Sequence, residues 1–171
     1  MDERSSFDAR ACVLFVQNAK ATHLNCTESD MSVILTASWS VRLPLESTAI
    51  GISRGTPRRR KGFRRMRELE PGAWFNSVSP QEYLARYSKI FAQLDRAEVY
   101  ERFLEHGEMP ILLCWESEAD CHQGKAWCHR HLAAQWLEDR LGVEVQELNR
   151  PCLDRFAFLR GAGISAPRFE Q

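Results

Sequence analysis

The chain has 171 residues, 44% of them hydrophobic, and its 23 Lys/Arg balance 23 Asp/Glu. That length and composition suit one ordinary globular domain able to bury roughly two-thirds of its unfolded surface. No apolar run approaches the roughly 20 residues of a membrane span, and no apolar leader follows Asp2 and Glu3, so neither a membrane partner nor export is expected. The six cysteines therefore read as reduced thiols of a cytoplasmic protein.

In chain order, residues 1–30 carry the weakest pattern. Ala11-Cys12-Val13-Leu14-Phe15-Val16 could form a strand, but its flanks lack turn or cap signals, so 1–30 reads as an extension, with an α/β domain over 31–150. Val33-Ile34-Leu35-Thr36-Ala37 is a better strand, and Pro44 marks the connection after it. Thr48 to Ser53 reads as a second strand, running into Gly55-Thr56-Pro57. Pro71-Gly72 marks a turn, and Trp74-Phe75 after it should pack onto the body.

Ser79-Pro80-Gln81-Glu82 is a helix start with an N-cap serine, a first-turn proline and a capping-box glutamate. Leu84, Tyr87, Phe91 and Leu94 then give an apolar face at helical spacing. Asp95 to Glu98 repeats the capping pattern for a second helix, with Val99, Phe103 and Leu104 inward and Gly107 as its stop. Pro110 to Trp115 is a continuous apolar run bounded by breakers, hence a buried strand. A polar turn rich in Cys and His spans Glu116 to His131. An amphipathic segment, Leu132–Leu141, and a second strand around Val143-Glu144-Val145 complete a strand–helix–strand unit. Residues 151–171, with Pro151 and Phe156-Ala157-Phe158-Leu159, read as a peripheral tail. The expected fold is a single α/β domain with a small, mostly parallel sheet flanked by helices.

Two constellations carry chemistry. Arg54, Arg58, Arg59, Arg60, Lys61, Arg64, Arg65 and Arg67 form a run without an acid. With Gly55 and Gly62 it could cradle a phosphate-bearing small molecule or nucleic acid, since arginine forks match phosphate oxygens. A solvated surface loop is the plainer reading. The second constellation lies where a strand end meets a helix start, the usual ligand position of open α/β sheets. Cys114 and Glu116, two apart, share one strand face. Cys128, at a helix start beside His129 and Arg130, meets the conditions that lower a thiol pKa. Arg130 is the natural ion partner for Glu116. Cys121, His122, Cys128 and His129 offer an alternative, a metal site, although no CxxC knuckle is present. Trp115, Trp127 and Trp136 are expected in the core.

At these residues the chain resembles a bacterial family, domain of unknown function 488. The likeness rests on Ser53-Arg54-Gly55-Thr56-Pro57, Gly62-Phe63-Arg64, Leu69, Pro71-Gly72, Ser79 to Tyr87, Leu112-Leu113-Cys114-Trp115-Glu116, and Cys128-His129-Arg130 leading into Ala134, Trp136 and Leu137. It covers about residues 31–150, and its most specific feature is Cys-x-Glu followed by Cys-His-Arg. The resemblance implies an α/β domain in which Cys114, Glu116, Cys128, His129 and Arg130 form a polar cluster facing Arg54, Thr56 and Arg64. Ser117 to Trp127 is longer than the family's usual spacer. No reaction and no cofactor follow from it. The expected function is binding of an anionic ligand between the basic loop and the Cys-His-Arg helix start, with Arg54, Thr56, Arg58, Arg64 and His129 as ligand-binding residues. The alternatives are a nucleic-acid-binding module and a thiol- or metal-dependent enzyme using Cys114, Glu116, Cys128 and Arg130.

Overall fold

The computed structural model describes residues 33–107, 109–150 and 153–169, which belong to a compact unit beginning at Met31. The candidate strand Ala11–Val16 lies outside the described residues. Five strands form one sheet: β1 (Ile34–Ser38), β2 (Thr48–Gly51), β3 (Arg64–Arg65), β4 (Pro110–Cys114) and β5 (Val145–Glu147). Their order is β3-β2-β4-β1-β5, and every pairing is parallel. Among the described residues five α-helices accompany them: α1 (Pro80–Phe91), α2 (Arg96–Glu105), α3 (Glu118–His122), α4 (His129–Leu141) and α5 (Ala157–Gly161). This is the α/β class expected. None of the described helices is long and apolar enough to cross a membrane.

The apolar runs of the central strands are buried on both faces, as a parallel sheet requires. Ile34, Ile50, Leu112 and Val145 join the core made with α1, α2, α4 and α5. The intervening Leu35, Ala37, Ile111 and Leu113 point the other way, where Trp39, Val41, Leu43 and Phe63 cover them. The main helices thus lie on one face, and the other is closed by side chains of the connecting loops.

Both expected helix starts form. Ser79 accepts from the Glu82 amide, Asp95 accepts from the Ala97 and Glu98 amides, and Gly107 after α2 takes a positive φ of 92°. The buried face of α1 is Tyr83, Tyr87 and Phe91, with Leu84 only half-buried. Tyr83 prevails because it enters a run of aromatic contacts, with Trp74 at 4.8 Å and Trp127 at 4.5 Å between ring centroids. Leu104 is 60% exposed. Phe156 and Leu159, in the segment expected to be peripheral, are buried in the main core, and Phe169 packs edge-on against Phe91 at 5.0 Å.

One element differs from the sequence reading around the polar turn. Ser117 caps the Asp120 amide and starts α3, a short helix inside what read as a loop. Helix α4 begins at His129 with Cys128 at its N-cap, as the Cys-His-Arg helix start was read, and its first six residues are all buried. Its polar first turn is buried because the charges there find partners in the sheet. The basic run likewise supplies β3, an edge strand paired with β2.

Candidate functional site

The connection leaving β2 runs outward to β3, whereas the one leaving β4 passes through α3 and α4 to β5 beyond β1. Connections that diverge this way open a crevice at the carboxyl ends of the two strands. A pocket of about 240 Å³ lies there, lined from the β2 side by Ser53, Arg54 and Gly55 and from the β4 side by Cys114, Trp115 and Glu116. Trp127 and His129 close it from the start of α4, and Pro71, Phe75 and Tyr83 from the turn and helix opposite.

The loop after β2 is held by a short chain of bonds. Trp39 Nε1 donates to Ser53 Oγ at 2.9 Å, and Ser53 Oγ donates to the Gly55 carbonyl at 2.6 Å. Trp115 Nε1 donates to that same carbonyl at 2.9 Å. Trp115 is therefore pinned by its nitrogen while its ring stays 51% exposed, at odds with the core role expected of it. Trp136 is buried, and Trp127 stands half-buried in the pocket wall.

The floor is built from Cys114, Glu116, Cys128 and His129. The i, i+2 spacing does bring Cys114 Sγ to Glu116 Oε2, at 3.1 Å. His129 Nε2 lies 2.8 Å from the Ile52 carbonyl. A carbonyl only accepts, so this nitrogen carries the proton and Nδ1 keeps its lone pair, while Cys114 Sγ lies 3.5 Å from Nδ1 and 3.7 Å from Nε2. Cys128 is 2% exposed and packs against Cys114 and Cys121.

Burial sets the protonation of this floor. It pushes His129 down to about 4, so the imidazole is neutral at neutral pH. Burial, then the neighbouring Cys128 and Glu116, hold the Cys114 thiol well above its ordinary value. Burial alone would raise Glu116, but the thiols donating to it keep it below the usual carboxylate value. Burial also raises the Tyr83 phenol, with Cys128, Cys114 and Glu116 acting in the same direction. The resting state is two sulfurs, a neutral imidazole and a carboxylate around one point.

Arg130 is not part of it. The expected pair with the Glu116 side chain does not form, because Arg130 turns into the layer between α4 and the sheet. Its Nη2 meets Glu147 Oε1 at 3.1 Å and its Nε meets Glu147 Oε2 at 3.2 Å. From there its Nη1 reaches only the backbone carbonyl of Glu116, at 2.8 Å. Thr36 and His131 also bond Glu147, at 2.7 and 3.3 Å. Sequence reasoning passed over Glu147, although its period-two spacing from Val143 and Val145 put it on the buried face.

The proposed metal quartet is also redrawn. Cys121 is buried in contact with Cys114 and Cys128, but His122 is exposed on α3. The donor atoms that close within 4.8 Å of one another belong to Cys114, Cys128 and His129. Thr56, Arg58 and Arg64 do not line the pocket, which leaves Arg54 as its basic-run residue. Arg60 folds back to the Trp39 carbonyl at 2.8 Å, and Arg65 Nε donates to Glu70 at 2.9 Å. Tyr83, Phe75 and Pro71 were not read as site residues from sequence, because only tertiary structure brings them to a strand end far along the chain, and Phe75, expected to pack onto the body, is instead 44% exposed.

A larger and shallower depression of about 410 Å³ lies between α4, β5 and the segment before α5. Its Arg155 already pairs with Glu138 at 2.8 Å, and no thiol, hydroxyl or imidazole lines it. The thiol and imidazole groups are gathered at the smaller pocket. No protein-family model, curated protein or solved structure matches this chain.

Proposed function

We propose that this chain binds a small molecule joining a planar ring to an anionic, phosphate-bearing group, between the Ser53–Gly55 loop and the start of α4. One observation carries the reading: the pocket combines aromatic walls from Phe75, Tyr83, Trp115 and Trp127 with the exposed guanidinium of Arg54 at one side. Aromatic faces take a flat ring with little demand on its identity, and a guanidinium takes an anion. With Arg130 paired to Glu147 and His129 neutral, the anion's counter-charge is Arg54 rather than the Cys-His-Arg triplet. The likeness to domain of unknown function 488 supports a common polar cluster and adds no reaction.

Calorimetric titration with nucleoside monophosphates, the parent nucleosides and inorganic phosphate tests this. The monophosphates are expected to bind most tightly, and at 100 times the dissociation constant to stabilise the protein by about 2.7 kcal/mol. Arg54→Met is expected to weaken them about ten-fold or more, the worth of a charge-assisted hydrogen bond. Failure of every ring-bearing anion to bind, or equal binding by Arg54→Met, rejects the reading.

A second reading, single-stranded nucleic acid, is favoured by the exposed rings of Trp115 and Phe75 near a run in which Arg58, Arg59, Lys61, Arg64 and Arg67 are exposed. Stacking rings beside a positive track are how sequence-tolerant strands are held.

A further inference from the structure

The geometry points to a soft divalent metal site at the floor of the pocket, with Cys114, Cys128 and His129 as ligands and a fourth position open toward Glu116 and the pocket. This is a different ligand set from the one the sequence suggested, and it stands whether or not the pocket takes a ring-bearing anion. Two sulfurs and one imidazole are the donor chemistry of zinc and its soft neighbours. Their atoms lie within 4.8 Å of one another, and all three residues are buried.

The spacing fits coordination. Zinc–sulfur and zinc–nitrogen bonds of about 2.3 and 2.0 Å at tetrahedral angles put sulfur and nitrogen roughly 3.5 Å apart. Cys114 Sγ and His129 Nδ1 are 3.5 Å apart. The Ile52 carbonyl, 2.8 Å from Nε2, fixes the proton on that nitrogen and leaves Nδ1 free to coordinate. A backbone carbonyl on the far ring nitrogen is the usual orienting partner of a metal-bound histidine.

The local charge also calls for a cation. Glu116 places a carboxylate oxygen 3.1 Å from Cys114 Sγ. The cation that could answer it, Arg130, is committed to Glu147. A divalent ion would convert this cluster of donors into a neutralised centre. Cys114, Glu116 and His129 line the pocket whereas Cys128 lies behind them. The open position therefore faces the space a ligand would occupy, with Glu116 beside it. Three protein ligands and one open position distinguish catalytic zinc sites from closed structural ones.

The test uses the full chain without an affinity tag, thiols reduced, stripped with a chelator and titrated with Zn²⁺ and with Co²⁺. Plasma mass spectrometry is expected to count close to one metal per chain. The cobalt form is expected to show a thiolate-to-metal charge-transfer band and the intense visible absorption of a tetrahedral ion. Cys114→Ser and Cys128→Ser should each weaken binding about ten-fold or more and reduce the charge-transfer band, while Cys121→Ser leaves both unchanged. If the serine variants are insoluble, Cys128→His decides the matter, since it keeps a donor in place and should hold cobalt with a weaker charge-transfer band. The site is rejected if the reduced parent takes up no stoichiometric metal. It is also rejected if the charge-transfer band is undiminished in Cys114→Ser or in Cys128→His, or if Cys121→Ser alone abolishes binding.

Discussion

The guanidinium of Arg130 is fully buried, and Glu147 beneath it is 2% exposed. Each ion is tolerable there only because the other is present, with Thr36 and His131 filling the remaining positions on the carboxylate. Arg130→Met should cost about 3–5 kcal/mol, measured by denaturant unfolding, because it strands a buried carboxylate. A loss below about 1 kcal/mol would mean that Glu147 is served well enough by its other partners. Cys114 and Glu116 were legible as a pair because alternation along a strand is a local rule. The partner of Arg130 was not, since sequence offered the nearby Glu116 and only the fold brings β5 beside α4.

The same buried groups set an acid limit. His129 titrates near 4 in the folded protein and near 6.5 when unfolded. Below about pH 6.5 the unfolded chain gains a proton that the folded chain refuses, so stability falls until the pH passes about 4. For His129 alone the loss is about 3 kcal/mol in the metal-free protein. His131, lowered chiefly by burial, acts in the same direction. Glu147 adds to it at lower pH. Burial alone would raise its pKa, but His131 and Arg130 lower it on balance, so its contribution is lost as pH falls through that depressed value. Unfolding midpoints of chelated protein between pH 7 and 4 should therefore decline steadily, and a flat profile would contradict a buried neutral His129.

Among the elements, β2 and the loop after it shape the pocket most directly. Gly51 sits against the Trp39 indole: a methyl group added at Gly51 would lie 2.8 Å from the Trp39 ring. The indole would have to move, and with it the bond from Trp39 Nε1 that fixes Ser53. Gly51→Ala is therefore expected to destabilise the fold by about 1–3 kcal/mol and to weaken binding in the pocket as well. Unchanged ligand affinity alongside lost stability would separate the indole from the site. Helices α1 and α2 could be read from their caps, because a cap is a signal written within four residues. Helix α3 is too short to show a period, and although the start of α4 was legible, the burial of its polar first turn is decided by Glu147 and the sheet.

At the scale of the molecule, the parallel order β3-β2-β4-β1-β5 makes the β2–β4 crevice the natural place for a ligand. The strand-to-helix junction was visible in the sequence. The aromatic wall from α1 and the turn before it was not, since nothing local links Tyr83 to Cys114. The basic run divides: Arg54 reaches the pocket, Arg60 and Arg65 brace the fold, and Arg58, Arg59 and Lys61 face solvent. If the solvent-facing group holds single-stranded nucleic acid, log affinity should fall with log salt by about 0.7 per phosphate contact, and serine at all three positions should flatten that slope. Absence of binding at low salt would remove the nucleic-acid reading and leave the small-ligand pocket intact.

The claim that this crevice is the functional site is tested most directly by NMR titration of the labelled protein with a nucleoside monophosphate. The account predicts saturable shifts of the Trp115 and Trp127 indole signals and of the Ser53, Arg54 and Gly55 amides, with the buried Trp136 indole unmoved. Shifts confined to the depression around Glu138 and Arg155, or none up to millimolar ligand, would contradict it.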